Sequence, residues 1–436
     1  MHTSQNLHSK LLVLTLLLIG AISINAQKFG DYERGRAKDM LSTVKKEIKG
    51  NYFDTSFKGI DIDAKFDAAS QKLGTATSLG QAFGIIAQAV LEFDDSHTRF
   101  YPPSTTVETQ YGFQIQMIGD KAIVTGIKPG SDAAAKLKFG DEVTQFEAFR
   151  PSRKDLWKML YYYNVISPRN GLNLHVISPG EKAPREINVS AKIKTLQRSY
   201  SLEDFIRYIE LQDSPSTEHR FAKIGGTTIW KMPTFSIDPT SVDTIMKNRI
   251  ASSSNLILDL RGNGGGYVVT LERLAGYFVE KDTKIADLKG RKKMDPQMAK
   301  TRGSDIYKGK LIILLDSNSA SASEIFARFM QLEQRGIVIG DISSGSVMQS
   351  QFRSLKWGTD NVIFYGMNLT NADVIMSDGV SLEHIGVTPH LHIVPTPAQI
   401  ASSQDVQLAE ALKLLDQPIT PEEAGKLFPY KWPDEN

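Results

Sequence analysis

The stretch KLIILLDSNSASASEIFARFMQLEQRG, Lys310 to Gly336, decides how the chain is read. Leu311 to Leu315 form an unbroken apolar run of strand length, and the residues after Ser323 carry helical spacing until Gly336 stops them. A buried strand that turns straight into a helix is a unit of α/β architecture, and ligand sites in open α/β sheets gather at the carboxyl ends of strands. The turn holds four serines, at 317, 319, 321 and 323. Ser321 and Glu324 fit a capping box, in which each side chain satisfies a free backbone N–H. The same place suits a nucleophile, because a helix start offers unpaired N–H groups and a partial positive charge to an oxyanion. A serine hydroxyl still needs a base.

Outward from this turn, strands and helices alternate from residue 198 to 436. AKIGGTTIWKM, NLILDL and IVIGD read as strands, and TSVDTIMKNRI and VVTLERLAGYFVE as helices. This predicts a mostly parallel sheet. Residues 105–197 alternate apolar and polar, as in YGFQIQMIGDKAIVTGI, with turns at Pro129-Gly130 and Gly140-Asp141, and predict a small domain of strands with one or two helices. Residues 27–104 predict a helical region, with Ser78 as a cap, ended by Pro102 and Pro103. DVQLAEALKLLDQ predicts an amphipathic helix and PYKWPDEN a fraying end. Residues 1–26 read as a secretory signal: His2, His8 and Lys10 precede an apolar run, and a small residue, Ala26, offers a cleavage point. The run is short for a membrane span, which favours cleavage over an anchor. A periplasmic or extracellular bacterial location follows as an expectation.

The chain has 436 residues, no cysteine and a formal net charge of +2. Thiol catalysis, disulfides and thiolate metal sites are excluded. The charge balance gives no argument for nucleic acid or an anionic membrane. His390 and His392 could share one strand face, but a metal site there lacks a carboxylate beyond Glu383, so no metal and no cofactor is expected.

Two further stretches carry chemistry. LILDLRGNGGGY, Leu256 to Tyr267, ends a strand in three glycines that let backbone N–H groups approach a ligand, and its spacing does not match a dinucleotide loop. DDSHTRF places His97 in a polar loop, where a lone histidine is more often a hydrogen-bonded surface group than a base.

Together and in this order, DSHTRF (95–100), LILDLRGNGGG (256–266), SASASEIFA (319–327), GIVIGD (336–341) and EHIGVTP (383–389) resemble the C-terminal processing, or tail-specific, serine peptidases and their tricorn-like branch. The resemblance implies a crotonase/ClpP-like α/β catalytic core. It makes Ser321 the nucleophile, with oxyanion N–H groups from Ala322 and from Gly265 or Gly266. It also implies a PDZ-like domain whose YGFQI, Tyr111, Gly112, Phe113, Gln114 and Ile115, binds a peptide by strand addition. Many members use a lysine base 25 residues after the serine. That position here is Ser346, and Lys356 reads as the exposed side of a strand, so a Ser–Lys dyad is rejected. The tricorn-like branch implies His97 as the base instead, with Ser96 and Glu383 fixing its tautomer.

The leading expectation is an exported serine peptidase acting on unfolded proteins or peptides, with an oligomer possible. One alternative is a catalytically inactive peptide- or ligand-binding protein on the same fold. Another is a crotonase-like thioester enzyme, for which no basic patch for coenzyme A phosphates is seen.

Overall fold

The computed structural model describes residues 29–104, 107–195, 202–203, 218–359 and 362–433. The signal segment and the expected boundary at 197/198 lie outside the described residues.

Three helices come first: α1 (Asp31–Asn51), α2 (Ile62–Gly74) and α3 (Leu79–Leu91). In α1 the buried residues Ala37, Met40, Leu41, Val44 and Ile48 recur at helical spacing and form one stripe. Asp61 and Ser78 cap α2 and α3 with side-chain oxygens that accept the N–H of Ala64 and Gln81. Strand β1 (Arg99–Tyr101) follows at once. The helices do not keep their core to themselves. Phe66, Ile86 and Val90 share it with Phe100 and with Tyr365 and Met367, which lie more than 250 residues on.

The small unit is an antiparallel sheet in the order β3 (Phe113–Ile118), β4 (Lys121–Ile127), β5 (Glu142–Phe146), β6 (Gly171–Ile177), β7 (Arg185–Ser190). Strands β2 (Val107–Gln110) and β8 (Lys192–Thr195) pair beside it. Helices α4 (Asp132–Lys136) and α5 (Leu156–Tyr161) complete the unit. Its core holds Ile115, Val124, Val143, Phe146, Leu174 and Val176. β3 is an edge strand of its sheet.

The larger sheet contains β9 (Arg220–Ile224), β10 (Thr227–Lys231), β11 (Asn255–Asp259), β14 (Lys310–Leu315), β15 (Ile337–Gly340) and β18 (Leu391–His392). All neighbours are parallel except β9 and β10. AKIGGTTIWKM, read as one strand, is therefore two: Gly225 takes φ +51° and turns the chain back. Alternation along each strand splits the residues between two cores. Leu256, Leu258, Leu311 and Ile313 face one side, with Leu271 of α7 (Val268–Ala275) and with Phe326 and Phe329 of α8 (Ala322–Leu332), past α6 (Pro239–Ile245). Ile257, Ile312, Leu314 and Ile339 face the other, under Leu408 and Leu412 of α10 (Val406–Lys413), which follows α9 (Pro397–Ala401).

A second sheet joins β1, β12 (Thr283–Gly290), β13 (Gln297–Ala299), β16 (Met348–Trp357) and β17 (Ile363–Met376). Lys356 is on β16 and exposed, as expected. Residues 429–433 of the stretch expected to fray make contacts, and the rest of it lies outside the described residues. After α11 (Pro421–Leu427), the Tyr430 hydroxyl donates to Gln114 Oε1 (3.1 Å), and Lys128 lies over the Trp432 ring. Amphipathic aromatic side chains give this polar-looking segment area to bury.

A buried carboxylate helps fix the small unit to the larger sheet. Buried Asp341, just past β15, accepts from Gly119 N–H (2.8 Å) and from Arg153, whose guanidinium also donates to the Ile342 carbonyl (3.1 Å). The segment that follows, 343–347, runs into the site.

Candidate active site

The turn between β14 and α8 divides its serines by role. Ser319 Oγ donates to the Leu260 carbonyl and Ser323 Oγ to the Asn263 carbonyl, each at 2.9 Å, so both tie the turn to the loop after β11. Ser317 Oγ donates to the Met117 carbonyl in the small unit. Ser321 differs. Its backbone sits at φ 54°, ψ −117°, a strained conformation for a residue with a side chain. Its N–H holds it there, donating to Glu324 Oε2 (3.0 Å) and the Ser346 carbonyl (2.9 Å). Its hydroxyl makes no capping bond. The expected capping box is thus half realised: Glu324 reaches back, while the serine side chain is turned out of the capping role by its own backbone.

Glu324 is fully buried and does more than cap. It also accepts from Ser343 Oγ (2.6 Å), Gly345 N–H (2.7 Å) and Ser346 N–H (3.0 Å). Burial pushes this carboxyl up to about 7, against the pull of these four donors. It binds the Ser321 turn to segment 343–347.

That segment leads to the second cluster. Val347 N–H donates to Glu383 Oε2 (2.8 Å). Glu383 also accepts from Ser96 N–H at Oε1 (2.7 Å) and Ser96 Oγ at Oε2 (2.9 Å). Burial raises its pKa while these donors oppose the shift. Ser96 Oγ lies 2.7 Å from His97 Nδ1. The Ser96 hydroxyl has one proton and directs it to the carboxylate, so Nδ1 is the donor in the second bond. This assigns the Nδ1–H tautomer and leaves Nε2 with a bare lone pair. Burial, with the Arg99 guanidinium adding to it, pushes the His97 imidazole down to about 4. His97 is therefore neutral near pH 7.

The glycine loop meets the turn from the other side. A Cβ on Gly265, at φ +103°, would fall 2.7 Å from Ser321 Cβ and 3.0 Å from Ala322 N. Gly265 N–H is already given to Asn263 Oδ1 (2.9 Å), whereas Gly266 N–H and Ala322 N–H make no hydrogen bond among the described residues. This separates two glycines that the sequence leaves equivalent.

Sequence reasoning missed three residues that hold the site. Asn263 fixes the glycine loop, accepts Ala320 N–H at its carbonyl (3.0 Å) and donates to the Met232 carbonyl (2.9 Å). Glu324 was visible only as a cap. Asp95 lies buried beneath the His97 turn. His390 and His392 have other partners: His390 Nδ1 accepts Val338 N–H (2.9 Å), and His392 Nε2 lies 3.1 Å from Asp341.

A cavity of about 1150 Å³ separates the small unit from the larger sheet. Its walls include Tyr111, Phe113, Gln114 and Ile115 from the expected peptide-binding stretch, and Asn318 from the Ser321 turn, but neither Ser321 nor His97. Gly112, at φ +76°, backs onto Ser131, where a Cβ would meet Ser131 Cβ at 2.5 Å.

Residues 227–393 match peptidase family S41. The tail-specific protease of Haemophilus influenzae is 27% identical over 314 residues, 68% of this chain and 43% of that protein. The carboxy-terminal processing protease CtpB of Bacillus subtilis is 23% identical over 410 residues, 90% of this chain and 75% of that protein. The chain thus spans less than half the length of the first of these relatives. Among solved structures, mature CPAF matches with a TM-score of 0.64 at 14% identity, over 84% of this chain and 94% of that one. The photosystem II D1 C-terminal processing protease matches at 0.52 and 18% identity, over 83% and 93%. At these identities the two structures speak for the fold.

Proposed function

For a chain that carries a peptidase family S41 segment, we propose an exported serine peptidase that cleaves unfolded proteins or peptides with Ser321 as nucleophile and His97 as base. The observation that carries this reading is the run of hydrogen bonds from His97 through Ser96 and Glu383 to the N–H of the Ser346–Val347 peptide unit, whose carbonyl accepts the Ser321 N–H. His97 Nε2 takes the Ser321 proton as Oγ attacks the scissile carbonyl carbon. The oxyanion falls to the N–H groups of Ala322 and Gly266, helped by the positive end of α8. His97 then gives the proton to the leaving amine, whose C–N bond breaks. Water, deprotonated by the same ring, releases the acyl group and restores Ser321. The Ser321 hydroxyl and His97 ring are not hydrogen-bonded among the described residues, so they close on each other when substrate fills the site.

The core is read as crotonase/ClpP-like and the small unit as PDZ-like. β3, at the edge of its sheet among the described residues, lines the cavity, and this supports capture of an extended peptide as an added strand.

A fluorophosphonate probe tests the reading. Wild type is expected to be labelled and Ser321→Ala not. An unlabelled wild type that cleaves no peptide favours the inactive binding protein. The acidity of His97 gives a second expectation. Its folded value lies below the ordinary 6.5, so kcat/KM holds as pH falls through about 6 and declines only near about 4. The same depression means stability is lost from about pH 6.5 downward, because the unfolded chain gains a proton that the folded chain refuses. An acid limb at about 6.5 contradicts the burial of the base.

A further inference from the structure

We propose that Asp95 and Tyr52 are positioning residues for the base: the Asp95 carboxylate, held by the Tyr52 hydroxyl at the end of α1, sets the turn that aims His97 at Ser321. The inference rests on the reading of His97 as base.

Asp95 is 3% exposed, and its carboxylate meets four donors. Oδ1 accepts from His97 N–H (3.1 Å), Thr98 N–H (2.6 Å) and Thr370 Oγ1 (2.7 Å). Oδ2 accepts from the Tyr52 hydroxyl (2.8 Å). A carboxylate that accepts N–H groups two and three residues on closes a local turn and fixes the backbone of the residues between. Those residues here are Ser96 and His97. Asp94 enters the turn at φ 48°, so the geometry is not one the chain adopts freely.

Tyr52 carries the helical unit into this contact. It is fully buried, its ring packs against Phe93 at 5.1 Å, and its carbonyl accepts from Arg291 on the second sheet's hairpin. Phe53 N–H donates to the Thr370 carbonyl (3.1 Å), and Thr370 N–H to Thr98 Oγ1 (3.2 Å). The end of α1, β17 and the base turn thus converge on one carboxylate. Neither Asp95 nor Tyr52 bonds to Ser321, Ser96 or Glu383, which makes their role one of placement.

The charged and titratable groups around His97 come from its own segment, from α1 and from the Glu383 turn, where His384 Nε2 lies 3.7 Å from Glu383 and 2.9 Å from the Asp94 carbonyl. Asp95 and Arg99 act on it from its own segment, Glu383 acts through Ser96, and Tyr52 stays protonated because burial and Asp95 both raise it. Asp94 lies near Lys158 instead, at 3.8 Å.

The test uses full-length Tyr52→Phe and Asp95→Asn, with kcat, KM and the pH dependence of kcat/KM on a peptide substrate. Labelling of wild type, absent from Ser321→Ala, is the control that keeps a failure here apart from a failure of the peptidase reading. Expected are a fall in kcat of about tenfold for Tyr52→Phe and about a hundredfold for Asp95→Asn, with KM within about twofold. The acid limb should move in opposite directions: up in Tyr52→Phe, where the carboxylate charge loses a donor and acts more strongly on His97, and down in Asp95→Asn, where that charge is gone. General loosening does not give opposite shifts. If either variant fails to fold, Thr370→Val removes another donor from the same carboxylate and should shift the limb as Tyr52→Phe does. Wild-type kcat and an unmoved limb in the folded variants, or limbs moving together, overturn the proposal.

Discussion

His97→Ala is expected to lower kcat about 10⁴-fold while the protein stays folded. Among the described residues the ring is the only group besides Glu383 bonded to Ser96 Oγ, and alanine leaves the carboxylate and its backbone donors in place. Glu383→Gln should also lower kcat, for a different reason. Three donors meet this carboxylate, and a glutamine has one oxygen for them. With that oxygen on Ser96 Oγ and Val347 N–H, the amide NH2 faces Ser96 N–H and the Ser96 turn has to shift. The negative charge that steadies protonated His97 through Ser96 is lost as well. Hydrolysis of a fluorogenic peptide by both variants checks this. A Glu383→Gln enzyme with full activity would contradict that role of the carboxylate.

The second large effect is expected at Gly265. Alanine there meets Ser321 Cβ at 2.7 Å and the Ala320 carbonyl oxygen at 3.0 Å, in a backbone conformation of φ +103° that side chains avoid. The loop has to move off the nucleophile turn, carrying Gly266 N–H with it. Gly265→Ala should lose about 10²–10³ in kcat, the scale of one lost oxyanion donor, and about 1–3 kcal/mol of stability. Gly262→Ala is the matched comparison: φ is +75°, but nothing lies within 4 Å of the added methyl. It should cost roughly 1 kcal/mol and leave kcat near wild type. Equal kinetic losses in the two variants would mean that backbone strain alone, and not contact with Ser321, decides the effect.

The parallel sheet and the four residues proposed to react and orient were legible as candidates because they sit in local patterns. A strand run ends at Leu315 beside a helix start, glycines cluster at 264–266, and Ser96-His97 and Glu383 occur in short recognisable segments. What holds these pieces together was not legible. Asp95, Asn263 and Glu324 combine near partners with ones well away in sequence, such as Tyr52 and Thr370 for Asp95, and nothing in the spacing of an Asp, Asn or Glu announces which distant group it will meet. The capping expectation failed in part at Ser321 for the same kind of reason. A left-handed backbone imposed by Glu324 and Ser346 overrides the local preference of serine for the cap. The helical region shares a core with β17 through Tyr365 and Met367, a partnership that periodicity in either segment alone does not reveal.

The central claim, that Ser321 attacks a peptide bond with His97 as base, is tested most directly by incubating the purified chain with a mixture of unstructured peptides and sequencing the products by mass spectrometry. New termini made by wild type, absent with Ser321→Ala and nearly absent with His97→Ala, are the predicted result. Equal cleavage by wild type and Ser321→Ala, or none by a correctly folded wild type, would contradict it.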